Sequence, residues 1–222
     1  MAGTWNHPIG RNRKISWPHI LSLSRIIAGP IVAALVLAPP GDAYLLAAVL
    51  FALASLTDAV DGKLARYSRR VSPLGIFLDT TSDKVMVSLV LVAMAVSGLA
   101  AAWIPLVIIG REFLISGLRS YAASCDRIIS AHTWGKGKAA VTMLAIFVVL
   151  VAADGMAGGA PAHLGSPHFW HAAQTVGDWL LILAALMTIV SGVRYVADAW
   201  PLFRAPAAEE VDDRARVAGN KG

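Results

Sequence analysis

Asp58 and Asp61 stand three residues apart, and Asp79 and Asp83 four apart, in a chain otherwise sparing with charge. On helices these spacings bring side chains to one face. Asp58, Asp61, Gly62 and Ala65 share the face of one helix, and Gly75, Asp79 and Asp83 that of a second. Four carboxylates held together without cations would repel one another and take up protons. Mg2+ or Mn2+ answers that problem, because a hard cation prefers carboxylate oxygen and keeps positions open for phosphate. The plainer reading, structural pairing with Lys63, Arg66 and Lys84, spends four acids on helix packing where charge is costly.

The elements that must carry these residues are membrane spans. The chain has 222 residues, of which 57% are hydrophobic and 15% charged, and its mean hydropathy is +0.64. Soluble domains carry roughly a quarter charged residues, so composition alone predicts a membrane protein. Apolar runs over about 19–38, 43–66, 77–98, 101–122, 138–154 and 174–200 each reach or approach the ~20 residues that a bilayer requires. The first is too long for a signal-peptide core and contains Arg25. The expected architecture is an all-α integral membrane protein, a bundle of six transmembrane helices over 19–204. A polar segment, 1–18, precedes it, and a polar, mobile tail, 205–222, follows.

Charge orients the bundle. Arg11, Arg13 and Lys14 precede the first span, Arg66, Arg69 and Arg70 follow the second, and Arg119, Arg127, Lys136 and Lys138 bracket the link between the fourth and fifth. The alternate loops, around 39–43, 97–101 and 153–173, contain no Lys or Arg. This positive-inside pattern places both termini and all four acids on the cytoplasmic side. The net charge of +5 is then explained by cytoplasmic loops and by anionic lipid or phosphate ligands rather than by nucleic acid. Cys125 is the lone cysteine, which excludes an intrachain disulfide and a cysteine-built metal site. His163, His168 and His171 crowd one outer loop but have the Gly/Pro-rich setting of histidines that bind no metal.

Residues 58–83 match D-x2-D-G-x2-A-R-x8-G-x3-D-x3-D at every fixed position, and this resembles the signature of the CDP-alcohol phosphatidyltransferase family. The resemblance covers about residues 17–150. It implies that Asp58, Asp61, Asp79 and Asp83 hold divalent metal, two Mg2+ or Mn2+ per site, with Asp83 also the general base. Gly62, Ala65, Gly75, Arg66 and Ser72 would meet the nucleotide, Arg66 competing with an ordinary snorkelling role. Pro18 to Arg25 is similar to the family's first helix, which places Ser22 near the nucleotide; His19 stands where Asn is common. Arg25, inside an apolar run, would hold a lipid phosphate or pair with a motif acid. The family is expected to act as a homodimer in the bacterial inner membrane, on CDP-diacylglycerol and an alcohol drawn from lipid and cytoplasm.

The acceptor is addressed by a second group. Arg111 and Glu112 lie mid-span, Ser116 and Arg119 follow on the same face, and Lys136 and Lys138 open the next span. Together they predict a basic pocket for a phosphate-bearing acceptor. The pattern is similar to the branch of the family that uses glycerol 3-phosphate, although Ala139 and Thr142 stand where Thr and Gln are usual. Inositol phosphate would suit the same pocket. Serine or phosphatidylglycerol would not need its charge. A transporter also tolerates intramembrane acids and arginines, but the chain shows no internal repeat or matched broken helices.

Overall fold

A computed structural model describes residues 17–38, 43–68, 73–124 and 134–219, and within them the side chains of 24–38, 43–57, 81–124 and 137–200. Those residues form six α-helices and one short 3-10 turn: α1 (Trp17–Leu37), α2 (Ala43–Ser68), α3 (Pro73–Val96), α4 (Trp103–Ser124), α5 (Trp134–Met156), the turn Ala160–Leu164, and α6 (Pro167–Gly219). Five helices fall within a few residues of the expected spans. The sixth is longer at both ends.

Its start is explained by local chemistry. The Ser166 hydroxyl accepts from the Phe169 amide at 3.3 Å, and Pro167 opens the helix where no amide hydrogen is required. At the far end α6 continues through the polar segment to Gly219. Ala, Glu and Arg dominate 205–217, and these are strong helix formers.

The helices pack in a ring. α1 lies against α2 and α3, α2 against α5, α5 against α6, α6 against α4, and α4 touches α3 lightly to close the circuit. The shared core is Phe51 of α2, Met86, Leu91 and Met94 of α3, Ile146 and Leu150 of α5 and Leu181 of α6, all fully buried. α1 and α3 approach closely at Gly29, where a Cβ would stand 3.1 Å from the Met86 Cα. Small residues allow such contacts in apolar bundles.

Two helices stop alike. Gly98 (φ 73°) follows α3 and Gly158 (φ 83°) follows α5, each in the left-handed conformation that ends a helix without a Cβ penalty. Beside the second stop lies Asp154, fully buried, whose Oδ1 accepts from the Leu45 amide at 2.9 Å. Leu45 is in the first turn of α2, so a carboxylate of α5 caps the helix that carries Asp58 and Asp61. Replacing Asp154 by Ala should lower stability by about 1–3 kcal/mol. Thermal unfolding in detergent measures this, and an unshifted midpoint would mean the amide finds another acceptor.

Among the described residues, Gly137–Met156 and Pro167–Trp200 are long and apolar enough to cross a bilayer, and Ser24–Leu37 and Ala43–Thr57 are shorter apolar helices. Large apolar side chains also face outward, including Ile27, Leu56, Leu106, Phe113, Trp179 and Val193. With helix as the regular structure of the described residues and such a surface, the chain is a membrane protein.

Candidate functional site

α2 carries Asp58, Asp61, Gly62, Ala65 and Arg66, and α3 carries Gly75, Asp79 and Asp83. Both segments are continuous α-helix, so the sharing of faces read from the spacing holds for the backbone. The side chains of 58–80 lie outside the described residues, as do Ser72, the Ser22 side chain and that of Lys136. Asp83 is described: it is half-buried and follows the fully buried Ser82.

Immediately after Asp83 begins a charged cluster. Glu112 of α4 is its centre and gathers three cations from three helices. Lys138 of α5 donates to Oε1, Arg111 Nη1 donates to the same oxygen at 3.0 Å, and Lys84 Nζ of α3 lies 3.6 Å from Oε2. Lys84 also donates to the Ser116 hydroxyl, which in turn donates to the Glu112 carbonyl at 2.7 Å. One carboxylate among three cations leaves a formal excess of two positive charges. The four side chains are between 12% and 32% exposed, so water screens that excess only in part. Such an arrangement suits an incoming dianion, which would complete the neutralisation that Glu112 begins.

Of the four basic residues expected in this pocket, Arg111 and Lys138 come together. Arg119 does not. Eight residues further along α4, roughly 12 Å away at the helical rise, it is exposed and lies over the Tyr195 ring at 6.0 Å from the centroid. Arg25 is buried on α1, as its place in an apolar run predicted, and it is a partnered residue. Thr142 is buried and donates to the Lys138 carbonyl at 2.9 Å, steadying the turn of α5 that presents the lysine.

Two members of the cluster were not expected there. Lys84 reads in the sequence as a counter-ion for motif acids, since it stands directly after Asp83 at the polar edge of its span. Ser191 of α6 accepts from Arg111 Nη2 at 3.0 Å, and nothing in its own sequence marks it.

A cavity of about 420 Å3 opens at the other end of the helices, between Gly98, Trp103, Met156, Gln174 and Asp178. It is remote in sequence from the carboxylate motif and adjoins the loops that lack Lys and Arg. His163, His168 and His171 are exposed near this end, and no group of three metal-ligating side chains forms among the described residues.

Comparison with known proteins bears on the whole of this region. The family model described as CDP-alcohol phosphatidyltransferase matches residues 15–191. A Bacillus subtilis protein named CDP-diacylglycerol–glycerol-3-phosphate 3-phosphatidyltransferase is 35% identical over 195 residues, covering 82% of this chain and 94% of its own. Proteins of the same name from Pseudomonas fluorescens and Rickettsia bellii are each 32% identical, over 87% and 80% of this chain and 95% and 92% of theirs.

Proposed function

Since this chain belongs to the CDP-alcohol phosphatidyltransferase family, we propose that it transfers the phosphatidyl group of CDP-diacylglycerol to sn-glycerol 3-phosphate, giving phosphatidylglycerol phosphate and CMP. The observation that carries the acceptor is the Glu112 cluster, where Lys84, Arg111 and Lys138 outnumber the single carboxylate. An acceptor with a phosphate dianion fits that excess, and serine does not. The names of the relatives favour glycerol 3-phosphate over inositol phosphate.

In the proposed reaction, Asp83 takes the proton from the acceptor hydroxyl. The oxygen attacks the phosphorus that bears diacylglycerol, and the bond from that phosphorus to the CMP oxygen breaks. Atoms balance: the acceptor gains the phosphatidyl group, Asp83 the proton, and CMP leaves with the bonding electrons. The donor set of Asp58, Asp61, Asp79 and Asp83 is all hard oxygen and fits Mg2+ or Mn2+, with two ions the proposed complement. When bound, divalent metal would supply charge neutralisation at the pyrophosphate oxygens. Lys84, Arg111 and Lys138 hold the acceptor phosphate, and so orient the hydroxyl toward Asp83, the residue preceding Lys84. Gly62, Ala65, Gly75, Arg66, Ser72 and Ser22 remain the proposed nucleotide contacts, and Arg25 the proposed contact of a lipid phosphate. Arg119 and Lys136 would guide the acceptor in from the cytoplasm.

The same reading makes all six helices transmembrane and puts both termini in the cytoplasm of a bacterial cell, on the strength of the Lys/Arg asymmetry between loops. A homodimer is the proposed assembly, supported by the family resemblance alone.

The test is CMP release by purified protein from CDP-diacylglycerol and Mg2+, with one acceptor at a time. Release with glycerol 3-phosphate, and not with inositol phosphate, serine or phosphatidylglycerol, is the expected result. Release with a different acceptor alone would keep the reaction class and overturn the substrate.

A further inference from the structure

Arg111 is held from two sides. Nη1 donates to Glu112 on its own helix and Nη2 donates across to Ser191 Oγ on α6, both at 3.0 Å. A serine hydroxyl has one hydrogen, and that of Ser191 goes to the Thr188 carbonyl at 3.2 Å. Toward Arg111 the oxygen can therefore only accept, which is the polarity a guanidinium requires. Serines within helices commonly bond back to their own helix; the second bond, to a neighbouring helix, is what is specific here.

The next residue lets α6 come this close. A Cβ at Gly192 would stand 3.0 Å from Arg111 Cγ and 3.7 Å from Nε, so the arginine stem lies along glycine backbone. The remaining nitrogen, Nε, is buried and has no hydrogen-bond partner among the described residues. A guanidinium carries five N–H groups; the two bonds fix its plane and leave a second hydrogen on Nη1 and on Nη2 for an oxyanion. Its orientation is set by α6, outside the motif-bearing helices.

We propose that Ser191 and Gly192 are positioning residues for Arg111, and through it for the acceptor phosphate, so that α6 governs affinity for the acceptor without touching it. This rests on the acceptor pocket proposed above. Glu112 alone would leave the guanidinium free to swing about one bonded nitrogen. Ser191 supplies the second point, and the absent side chain at Gly192 supplies the room.

The test uses full-length enzyme in mixed micelles and measures KM separately for glycerol 3-phosphate and for CDP-diacylglycerol. Ser191→Ala should raise the acceptor KM about five- to tenfold, the scale of one ordinary lost hydrogen bond, and leave the CDP-diacylglycerol KM unchanged. Ser191→Thr, which keeps the hydroxyl, should return the acceptor KM to near wild type. Gly192→Ala should raise it by displacing the arginine stem. In an Arg111→Ala background, Ser191→Ala should add nothing further. Equal rises in both KM values, or an undiminished effect of Ser191→Ala in that background, would show a general packing role and overturn the proposal. Wild-type enzyme that ignores glycerol 3-phosphate would overturn the acceptor reading itself, and this inference with it. A wild-type enzyme active on glycerol 3-phosphate beside an unchanged Ser191→Ala would overturn the inference alone.

Discussion

Asp83→Asn should reduce kcat by about three orders of magnitude or more while CMP still protects the protein against heat. The substitution keeps the size of the side chain and removes both its negative charge and its basicity. General-base removal alone costs on the order of 10²–10⁴ in rate. Removal of a carboxylate from a divalent-metal site adds to that and should shift the Mg2+ dependence to higher concentration. The two effects separate experimentally. A rate that recovers fully at high Mg2+ would make Asp83 a ligand only. A rate that stays low at saturating Mg2+ would leave proton abstraction as its main part. An Asn variant with more than a tenth of wild-type kcat would remove Asp83 from the chemistry.

Glu112→Gln should be the most damaging change outside the aspartate motif, and for a different reason. Lys84, Arg111 and Lys138 converge on this one carboxylate, and an amide leaves three partly buried cations facing one another. Breaking a buried charged group by removing one partner typically costs about 3–5 kcal/mol. Thermal unfolding in detergent should show a large drop in midpoint, and the acceptor KM should rise while that for CDP-diacylglycerol changes little. Adding Lys138→Met removes one of the stranded charges and should recover part of the lost stability. If the double variant is instead less stable than Glu112→Gln, mutual repulsion is not what the glutamate relieves.

How much of this could be read beforehand differs from residue to residue. Arg111 and Lys138 were legible because a charge in an apolar run has few places to go, and helical spacing says which face it takes. Their convergence on Glu112 needs α4 and α5 brought together, and only tertiary packing decides that. Lys84 reads in the sequence as a structural partner for the motif acids beside it. Yet a lysine beside Asp83 in sequence points about 100° away from it on a helix, which is how it reaches α4. Arg119 read as part of the pocket because it shares a face with Glu112 and Ser116. Sharing a face over two turns does not mean sharing a site, and the exposed end of α4 sets it against Tyr195 instead. Ser191 and Gly192 were illegible, being two small residues in an apolar helix, where such residues are common. The capping pair Ser166–Pro167, by contrast, is legible in the sequence as a helix start, ahead of the point at which hydropathy alone begins the sixth element.

The length of α6 has a mechanical consequence in a bilayer. Its apolar part, Pro167–Trp200, has 34 residues, which at about 1.5 Å per residue is roughly 50 Å of helix against a hydrocarbon slab about 30 Å thick. In the proposed transmembrane placement, hydrophobic mismatch of that size exceeds what ordinary tilt absorbs, and part of the helix would leave the slab. The first turns are the part suited to leave, since His168, His171, Gln174 and Asp178 are polar. There the rod would lie at headgroup depth while its middle stays among the other helices, making α6 a lever with one arm in the interface.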